Sequence, residues 1–308
     1  MVNMKTSYNY QELYKYAKGI GCEAVLGENM SLNTSFKTGG PCGIRLSPSS
    51  ADQLTDILAK IAELSIPFVI LGNGTNVLVP DEGIEKAVII IGDKMASISL
   101  EGEDVLNFSA GTNLVSLCRF ALEHTLSGLE FAFGIPGTCG GAVYMNAGAY
   151  GGEMKDVLTE ITHLTPDMKI ETINAEDARL SYRHSVYKEN GCIILSAKVK
   201  LKKDTRDAIK SRMEDFLGRR KDKQPLEYPS AGSTFKRPEG HFAGALIDQC
   251  NLKGKTIGGA QVSRKHSGFV INIDGATSAD ILNLMEYVRN TVKIETGVTL
   301  EPEVIVLR

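Results

Sequence analysis

The sequence has no long apolar run, no clustered cysteines and no stretch of basic residues, and each absence excludes a class of protein. No segment approaches the roughly 18 consecutive apolar residues that a membrane span needs. The net charge of -3 and the lack of a Lys/Arg run exclude an extended phosphate-binding track. The first residues also lack the apolar core of a signal peptide. We therefore expect a cytoplasmic protein that binds neither membrane nor nucleic acid.

The six cysteines are scattered, with no CxxC pair and no histidine at metal-ligand spacing. In a chain of 308 residues this pattern favours reduced, partly buried thiols over a disulfide framework. It also predicts no metal site, because the ligand spacings are absent.

Short apolar strands alternate with amphipathic helices along the chain. Helical periodicity predicts helices around residues 54–61, 114–121, 204–217 and 242–250, and a long helix from Ser278 to Gly297. Strands are predicted at residues 67–71, 77–79, 88–91, 105–110, 157–164, 169–173, 192–201, 257–262, 268–273 and 300–308. Charge, Pro and Gly cluster at residues 219–233, which indicates a domain boundary. The sequence predicts an α+β fold, with a two-lobed nucleotide-binding domain followed by a smaller C-terminal domain.

The first motif with a chemical interpretation is ILGNGTNVLVP at residues 70–80. A short Gly/Asn loop between two strands presents several backbone N–H groups in one direction, which suits phosphate oxygens. It is not a GxGxxG fingerprint, because a strand and not a helix follows it. A plain glycine turn is an equally good interpretation of this motif alone.

The second motif is the glycine-rich run GIPGTCGGAVYMNAGAYGG at residues 134–152, which has neither helical nor alternating periodicity. Its glycines allow a pyrophosphate to lie against bare backbone, and Thr138 offers a hydroxyl. Two such loops suit a long dinucleotide such as FAD. The alternative is a tight loop packed on a sheet.

The segments NTSFKTGGPC (33–42), LGNGTNVLV (71–79) and GIPGTCGGAVYMNAGAYG (134–151) resemble the FAD domain of the vanillyl-alcohol oxidase superfamily. SYRHSVYK (181–188), AGSTFKRP (231–238), GALIDQCNLKGKTIGGAQVS (244–263) and LEPEVIVL (300–307) resemble the UDP-N-acetylenolpyruvoylglucosamine reductases, in their shorter form. The resemblance covers residues 31–308. It implies FAD as cofactor, NADPH as hydride donor and a UDP-linked enolpyruvyl sugar as substrate. The KTGGPC segment lacks the histidine to which some superfamily oxidases attach flavin, which implies non-covalent FAD.

The same resemblance implies a division of the chain. Residues 1–30 form an N-terminal helical segment, residues 31–220 the FAD-binding domain, and residues 221–308 the substrate-binding domain. The FAD-binding domain has two lobes, at about residues 31–95 and 96–220.

The resemblance also implies roles for single residues. Arg183 faces the substrate carboxylate, Ser233 donates a proton, and Glu303 lies beside the reacting carbon. Considered singly, Arg183 better suits a surface ion pair and Ser233 a turn, and Glu303 also suits a solvent-facing strand position. The remaining implied contacts are with substrate at Tyr182, Lys223 and Arg237, and with FAD at Arg220, Gly72, Asn73, Gly74, Thr75, Asn76, Leu78, Gly134, Ile135, Pro136, Gly137, Thr138, Gly140, Gly141, Ala142, Asn146 and Gly148.

Three positions depart from the family pattern: Arg237 replaces an Asn, Ile305 replaces an Arg, and His266 stands where relatives have Gln. Two other functions compete with the reductase. One is another FAD-dependent alcohol or sugar oxidase or dehydrogenase of the superfamily, which residues 231–308 oppose. The other is a flavin-binding protein without turnover, which the joint presence of Arg183, Ser233 and Glu303 opposes.

Overall fold

The structure, a computed structural model, describes residues 8–308. The helices of this part are α1 (Tyr10–Gly19), α2 (Ala51–Glu63), α3 (Leu114–Glu123), α4 (Cys139–Tyr144), α5 (Arg206–Lys223), α6 (Ala243–Gln249) and α7 (Ser278–Thr296). The five predicted helices are confirmed as α2, α3, α5, α6 and α7. The predicted N-terminal helical segment contains α1, and residues 1–7 of that segment lie outside the described residues.

Strands of two to eight residues make up the rest of the regular structure. The first ten are β1 (Glu23–Leu26), β2 (Cys42–Ser47), β3 (Phe68–Leu71), β4 (Val77–Leu78), β5 (Ile84–Ile90), β6 (Ile98–Glu101), β7 (Val105–Ser109), β8 (Leu126–Ser127), β9 (Gly148–Ala149) and β10 (Gly152–Glu153). The others are β11 (Leu158–Leu164), β12 (Ile170–Asn174), β13 (Ile193–Lys200), β14 (Lys202–Lys203), β15 (Thr256–Ile257), β16 (Ala260–Val262), β17 (Val270–Asn272) and β18 (Ile305–Val306). The mixture of helices and sheets confirms the predicted α+β class.

The chain divides into two compact units. Unit 1 consists of the described part of Met1–Leu26, with Ile44–Asn73 and Lys86–Arg219. Unit 2 consists of Gly27–Gly43, Gly74–Glu85 and Arg220–Arg308. The predicted domain boundaries at residues 31 and 221 stay a prediction.

Unit 1 contains two larger sheets and the two-stranded pairs β9-β10 and β8-β14. One larger sheet has the strand order β1-β2-β5-β3 and the other the order β12-β11-β13-β7-β6. Strand β3 is parallel to β5, whereas the second sheet is antiparallel throughout. Ser50 is the N-cap of helix α2, and its hydroxyl accepts a hydrogen bond from Gln53 N at 3.1 Å. The helix buries Leu54, Ile57, Leu58 and Ile61. Burial of such apolar faces is what stabilises the unit.

Unit 2 is built on the three-stranded sheet β15-β16-β17 and the long helix α7. The helix begins with a capping box between Thr277 and Asp280 and ends at Gly297, which has φ 76°. Asp81 accepts hydrogen bonds from the first N–H groups of α7, at Ser278 (2.7 Å) and Ala279 (2.9 Å). A carboxylate at this position satisfies helix donors that have no partner inside the helix.

Two predictions were wrong in detail. The glycine run 134–152 contains the helix α4, which is too short to show a period and begins at Thr138 as its N-cap. The single strand predicted at 257–262 is a hairpin of β15 and β16, which turns at Gly258 and Gly259. Gly258 has φ +52°, a conformation that glycine adopts without steric cost.

No helix within residues 8–308 is both long and apolar enough to cross a membrane. The described chain also has no group of three His, Cys, Asp or Glu side chains placed to hold a metal ion.

Candidate active site

The two glycine loops of unit 1 lie against each other. An ideal Cβ built on Gly72 would be only 2.3 Å from Thr138 Oγ1, so only glycine fits there without displacement. Thr138 is buried and caps α4, its hydroxyl oxygen accepting a hydrogen bond from Gly141 N at 3.3 Å. The structure therefore brings together the two loops that the sequence assigned to one cofactor.

Neighbouring glycines of the second loop do different things. A Cβ on Gly140 would be 2.7 Å from Ala110 Cβ, so this glycine permits close packing of α4 on the end of β7. A Cβ on Gly141 would meet nothing nearer than Thr138 Oγ1 at 3.5 Å, and Gly141 is exposed. Gly134 and Gly137 have φ of 92° and 139°, which favours glycine at both turns.

The exposed part of these loops fits FAD. Asn73, Pro136 and Gly141 are exposed, and Gly141 presents bare backbone where a side chain would otherwise project. A pyrophosphate needs such close approach to the backbone. The other predicted FAD contacts of this run are less accessible: Ala142 and Asn146 are buried, and Ile135 and Gly148 are half-buried.

The remainder of the first loop belongs to unit 2. Gly74 has φ +60°, and a Cβ there would be 2.0 Å from Asn33 O. Asn76 donates from Nδ2 to Glu303 O at 3.1 Å and accepts at its backbone oxygen from Ile305 N at 3.0 Å. The predicted FAD contact Leu78 is fully buried in the core of unit 2, and Thr75 is half-buried.

Within unit 2 the structure brings Ser233 and Glu303 onto adjacent segments. Glu303 N donates to Thr234 O at 2.9 Å, and an antiparallel bridge joins Phe235 to Pro302. Thr234 and Phe235 are buried, whereas Ser233 and Glu303 are half-buried. Two of the three predicted catalytic residues are thus neighbours on a firmly held pair of segments.

Thr234 anchors this pair of segments. Its backbone N donates to Gly268 O at 2.9 Å, and its hydroxyl accepts from Val270 N at 2.9 Å. His266 precedes the same segment, and its Nδ1 accepts a hydrogen bond of 3.1 Å from Gly268 N. Burial lowers the pKa of His266, which favours the neutral ring that this hydrogen bond requires.

The third predicted catalytic residue, Arg183, lies in unit 1 in a tight turn. Ser181 and His184 close the turn with two backbone hydrogen bonds, of 3.1 and 3.0 Å. Arg183 itself has φ 53°, and its Nη1 donates to Gly148 O at 3.5 Å. Tyr182, the predicted substrate contact beside it, is 52% exposed.

Three predicted basic contacts lie in unit 2. Arg220 donates from Nε to Gln224 Oε1 at 2.8 Å, and Lys223 is exposed at the last residue of α5. The guanidinium carbon of Arg237 lies 3.9 Å from the centre of the Phe242 ring, a cation–π geometry. Phe242 is 63% exposed. In the sequence, Phe242 has no role beyond the start of a predicted helix, so this contact with Arg237 was not predicted.

Two family models match the chain. The model described as UDP-N-acetylenolpyruvoylglucosamine reductase, C-terminal domain, matches residues 224–307, and an FAD binding domain matches residues 44–174. The UDP-N-acetylenolpyruvoylglucosamine reductase of Caldanaerobacter subterraneus subsp. tengcongensis is 47% identical over 279 residues, which are 91% of this chain and 92% of that protein. Its counterpart from Clostridium botulinum is 49% identical over 280 residues, 91% of each chain.

A solved structure agrees with these matches. The crystal structure of UDP-N-acetylenolpyruvylglucosamine reductase from Thermus caldophilus is similar with a TM-score of 0.79 and 34% identity. The match covers 93% of this chain and 99% of that one.

The paired glycine loops and the FAD binding domain define an FAD-dependent oxidoreductase. With relatives at this identity over nine-tenths of its length, the chain belongs to the UDP-N-acetylenolpyruvoylglucosamine reductase family. The resemblance that the sequence motifs indicated is confirmed.

Proposed function

We propose that the protein reduces the enolpyruvyl group of UDP-N-acetylglucosamine enolpyruvate to give UDP-N-acetylmuramate, with NADPH as the hydride source. FAD, when bound, supplies the transfer of hydride from NADPH to the vinyl group. The net reaction adds one hydride and one proton across the carbon–carbon double bond and releases NADP. The observation that carries the proposal is the placement of Ser233 and Glu303 on adjacent segments, in a chain of this family.

Ser233 is proposed as the proton donor. Addition of hydride at the methylene carbon leaves negative charge on the neighbouring carbon, delocalised into the carboxylate. Such a carbon is basic enough to take a proton from a well-placed hydroxyl. Ser233 is half-buried and is held by the buried Thr234, which supplies the fixed placement that this role requires.

Arg183 and Glu303 are proposed to act on the developing charge. A guanidinium near the substrate carboxylate opposes negative charge where it forms. Glu303 would do so as a neutral carboxylic acid that donates a hydrogen bond, and groups held in place act without reorganisation. Glu303 is held through its backbone, which donates to Thr234 O and accepts from Asn76 Nδ2. Both residues are half-buried, so they are shielded from water but still accessible to a ligand.

Tyr182, Lys223 and Arg237 are proposed to hold the substrate, and the cationic pair to meet its diphosphate. Lysine and arginine are the usual partners of phosphate oxygens. Lys223 and Arg237 are both exposed, as a contact with a large charged ligand requires. The FAD contacts proposed from the motifs are Gly72 to Asn76, Leu78, Gly134 to Thr138, Gly140 to Ala142, Gly148 and Arg220.

We place the reaction in the cytoplasm, in the synthesis of peptidoglycan precursors, and hence in cell shape and division. The six cysteines are free, as is usual for proteins of a reducing compartment.

Anaerobic turnover of the purified holoenzyme tests the proposal. NADPH should be consumed in a 1:1 ratio with the UDP-enolpyruvyl sugar, and a fully reduced enzyme should be reoxidised by that sugar. An alcohol or sugar oxidase would instead be reduced by its own substrate and reoxidised by oxygen. Reoxidation by oxygen alone, with no response to the enolpyruvyl sugar, would overturn the proposal.

A further inference from the structure

The turn that carries Arg183 has an unfavourable backbone. Arg183 has φ 53°, in the left-handed region where a side chain with a Cβ crowds the following carbonyl. Such conformations persist only where the surrounding structure holds them, and they cluster at functional sites. The contacts that hold the turn are therefore part of how the guanidinium is placed.

Asn146 makes one of these contacts, to the backbone of Ser181. It is 1% exposed, and both protons of its amide are donated within unit 1. Nδ2 donates to Ser181 O, the residue that opens the arginine turn, at 3.0 Å, and to Glu153 Oε2 at 2.6 Å. Oδ1 accepts from Lys155 N at 2.9 Å.

The same amide holds the surface against which the guanidinium lies. Gly148, whose carbonyl accepts from Arg183 Nη1, pairs with Glu153 in the two-residue ladder of β9 and β10. Glu153 is in turn the carboxylate that Asn146 holds. A single buried side chain thus joins the start of the turn to the strand pair beneath the arginine.

We propose that Asn146 is a positioning residue for Arg183 and not a contact of FAD. This inference rests on the proposed role of Arg183 at the substrate carboxylate. The hydrogen bonds of Asn146 fix where the turn and the Gly148 carbonyl lie, and thereby where the guanidinium points. Because both amide protons are already donated inside the protein, the side chain has no donor to offer a cofactor.

Asparagine suits this position for two separate reasons. Its φ is 43°, and asparagine adopts the left-handed region more readily than other residues with a Cβ. It also offers two donors and an acceptor on one short planar group. The substitution Asn146→Asp would keep the acceptor for Lys155 N but would set acceptor against acceptor at Ser181 O and Glu153.

Asn146→Gly tests the inference with the least disturbance, because glycine tolerates φ 43° and only the amide is lost. FAD retention and reduction of the enzyme by NADPH should stay within about 3-fold of wild type. Reoxidation of the pre-reduced enzyme by the UDP-enolpyruvyl sugar should slow by roughly 10–100-fold, since displacement of a reacting group by about 1 Å costs up to that much. Asn146→Asp should slow the same step.

A double-mutant cycle with Arg183→Ala separates positioning from a general structural effect. If Asn146 acts through Arg183, Asn146→Gly should cost less than about 3-fold once the arginine is gone, whereas independent effects would multiply. Thr165→Ala is the matched control, since it removes a buried hydroxyl in the β11–β12 turn that accepts from Lys169 N and donates its one proton to Asp167 Oδ1 or Lys169 O. It should leave reoxidation unchanged.

The outcomes distinguish the inference from the function on which it rests. Two outcomes would overturn the inference alone. In the first, Arg183→Ala slows reoxidation but Asn146→Gly does not. In the second, Asn146→Gly slows reoxidation by the same factor whether or not the arginine is present. Weaker FAD binding in Asn146→Gly, with normal reoxidation of the variant once saturated with FAD, would show that Asn146 contacts the cofactor instead. A normal Arg183→Ala would overturn the proposed role of Arg183 and the inference together.

Discussion

Gly140 and Gly141 are adjacent in sequence, yet we expect their replacement by alanine to damage different properties. At Gly140 the new methyl would lie 2.7 Å from Ala110 Cβ and 3.1 Å from Ala110 O. At Gly141 it would meet only Thr138 Oγ1, at an ordinary 3.5 Å. The first methyl is forced into protein, and the second projects onto the exposed surface assigned to FAD.

The distances set the size of the two effects. Carbon atoms pack at about 3.5–4.0 Å, so α4 or the end of β7 must move by roughly 1 Å to admit alanine at position 140. Overpacking of this kind costs about 1–3 kcal/mol, which lowers Tm by about 2–12 °C in a domain of 150–250 residues. Alanine at position 141 meets no such obstacle, and within a helix it is intrinsically favoured over glycine by roughly 0.5–1 kcal/mol.

Gly141→Ala should therefore leave the Tm of the apoprotein unchanged or higher while weakening the binding of FAD. A steric cost of the same ~1–3 kcal/mol, arising in the complex with FAD, would raise the Kd for FAD by roughly 5- to 150-fold. Thermal unfolding of the apoproteins and titration with FAD measure the two quantities. Wild-type FAD affinity in Gly141→Ala, measured alongside a destabilised Gly140→Ala, would show that the open face of this loop does not meet the cofactor.

Other expectations concern the chemistry and the acid stability of unit 1. Ser233→Ala should slow substrate-dependent reoxidation by at least about 100-fold without affecting reduction by NADPH. Ser233→Cys keeps an ionisable proton and should retain more activity than Ser233→Ala. A defect confined to reduction by NADPH would refute the donor role. Arg183→Ala and Glu303→Ala should each cost about 100–1,000-fold in the same step, and rates within a few-fold of wild type in stopped-flow experiments would contradict the assignment. FAD should be released intact by acid, which absorbance of the supernatant measures, and flavin that stays with the precipitate would indicate a covalent link. Burial would raise the pKa of Glu130, but hydrogen bonds from Arg212 and backbone N–H groups outweigh burial and hold that pKa below its ordinary value. The stabilising contribution of this carboxylate is present above the ordinary pKa and is lost as pH falls through the lowered one. Urea unfolding from pH 7 to 3 should therefore show a shallower loss of stability in Glu130→Gln, and an unchanged slope would exclude this carboxylate as a cause.

The fold was predictable where burial imposes a period on the sequence. Helix α2 exposes one face and buries Leu54, Ile57, Leu58 and Ile61, so its apolar residues recur at helical spacing. Helix α4 has six residues, too few for a period, and its Gly140 is required by the close approach of Ala110, which is distant in sequence. Local pattern cannot reveal an element whose composition is dictated by a tertiary neighbour.

The motifs supply a set of proposed site residues but not their arrangement in space. Nothing in the sequence indicates that Ser233 and Glu303 are neighbours. Their segments are joined by the bridge between Phe235 and Pro302, which is a long-range backbone pairing. The motif also included Leu78, whose side chain is fully buried in the core of unit 2. A motif records every residue that the local structure requires, whether it binds a ligand or supports the residue that does.

The burial of a motif residue and the hydrogen bonds that it already makes distinguish a ligand-binding residue from a supporting one. In the glycine run, Gly141 is exposed and has open space beside its Cα, so a ligand there displaces only water. Asn146 is buried, with its donors already used, and a cofactor bond would first have to break one of them. An unsatisfied buried amide costs about 1–3 kcal/mol, so that exchange brings no net gain. The same physical argument supports the proposals that Gly141 meets the ligand and that Asn146 holds the arginine turn.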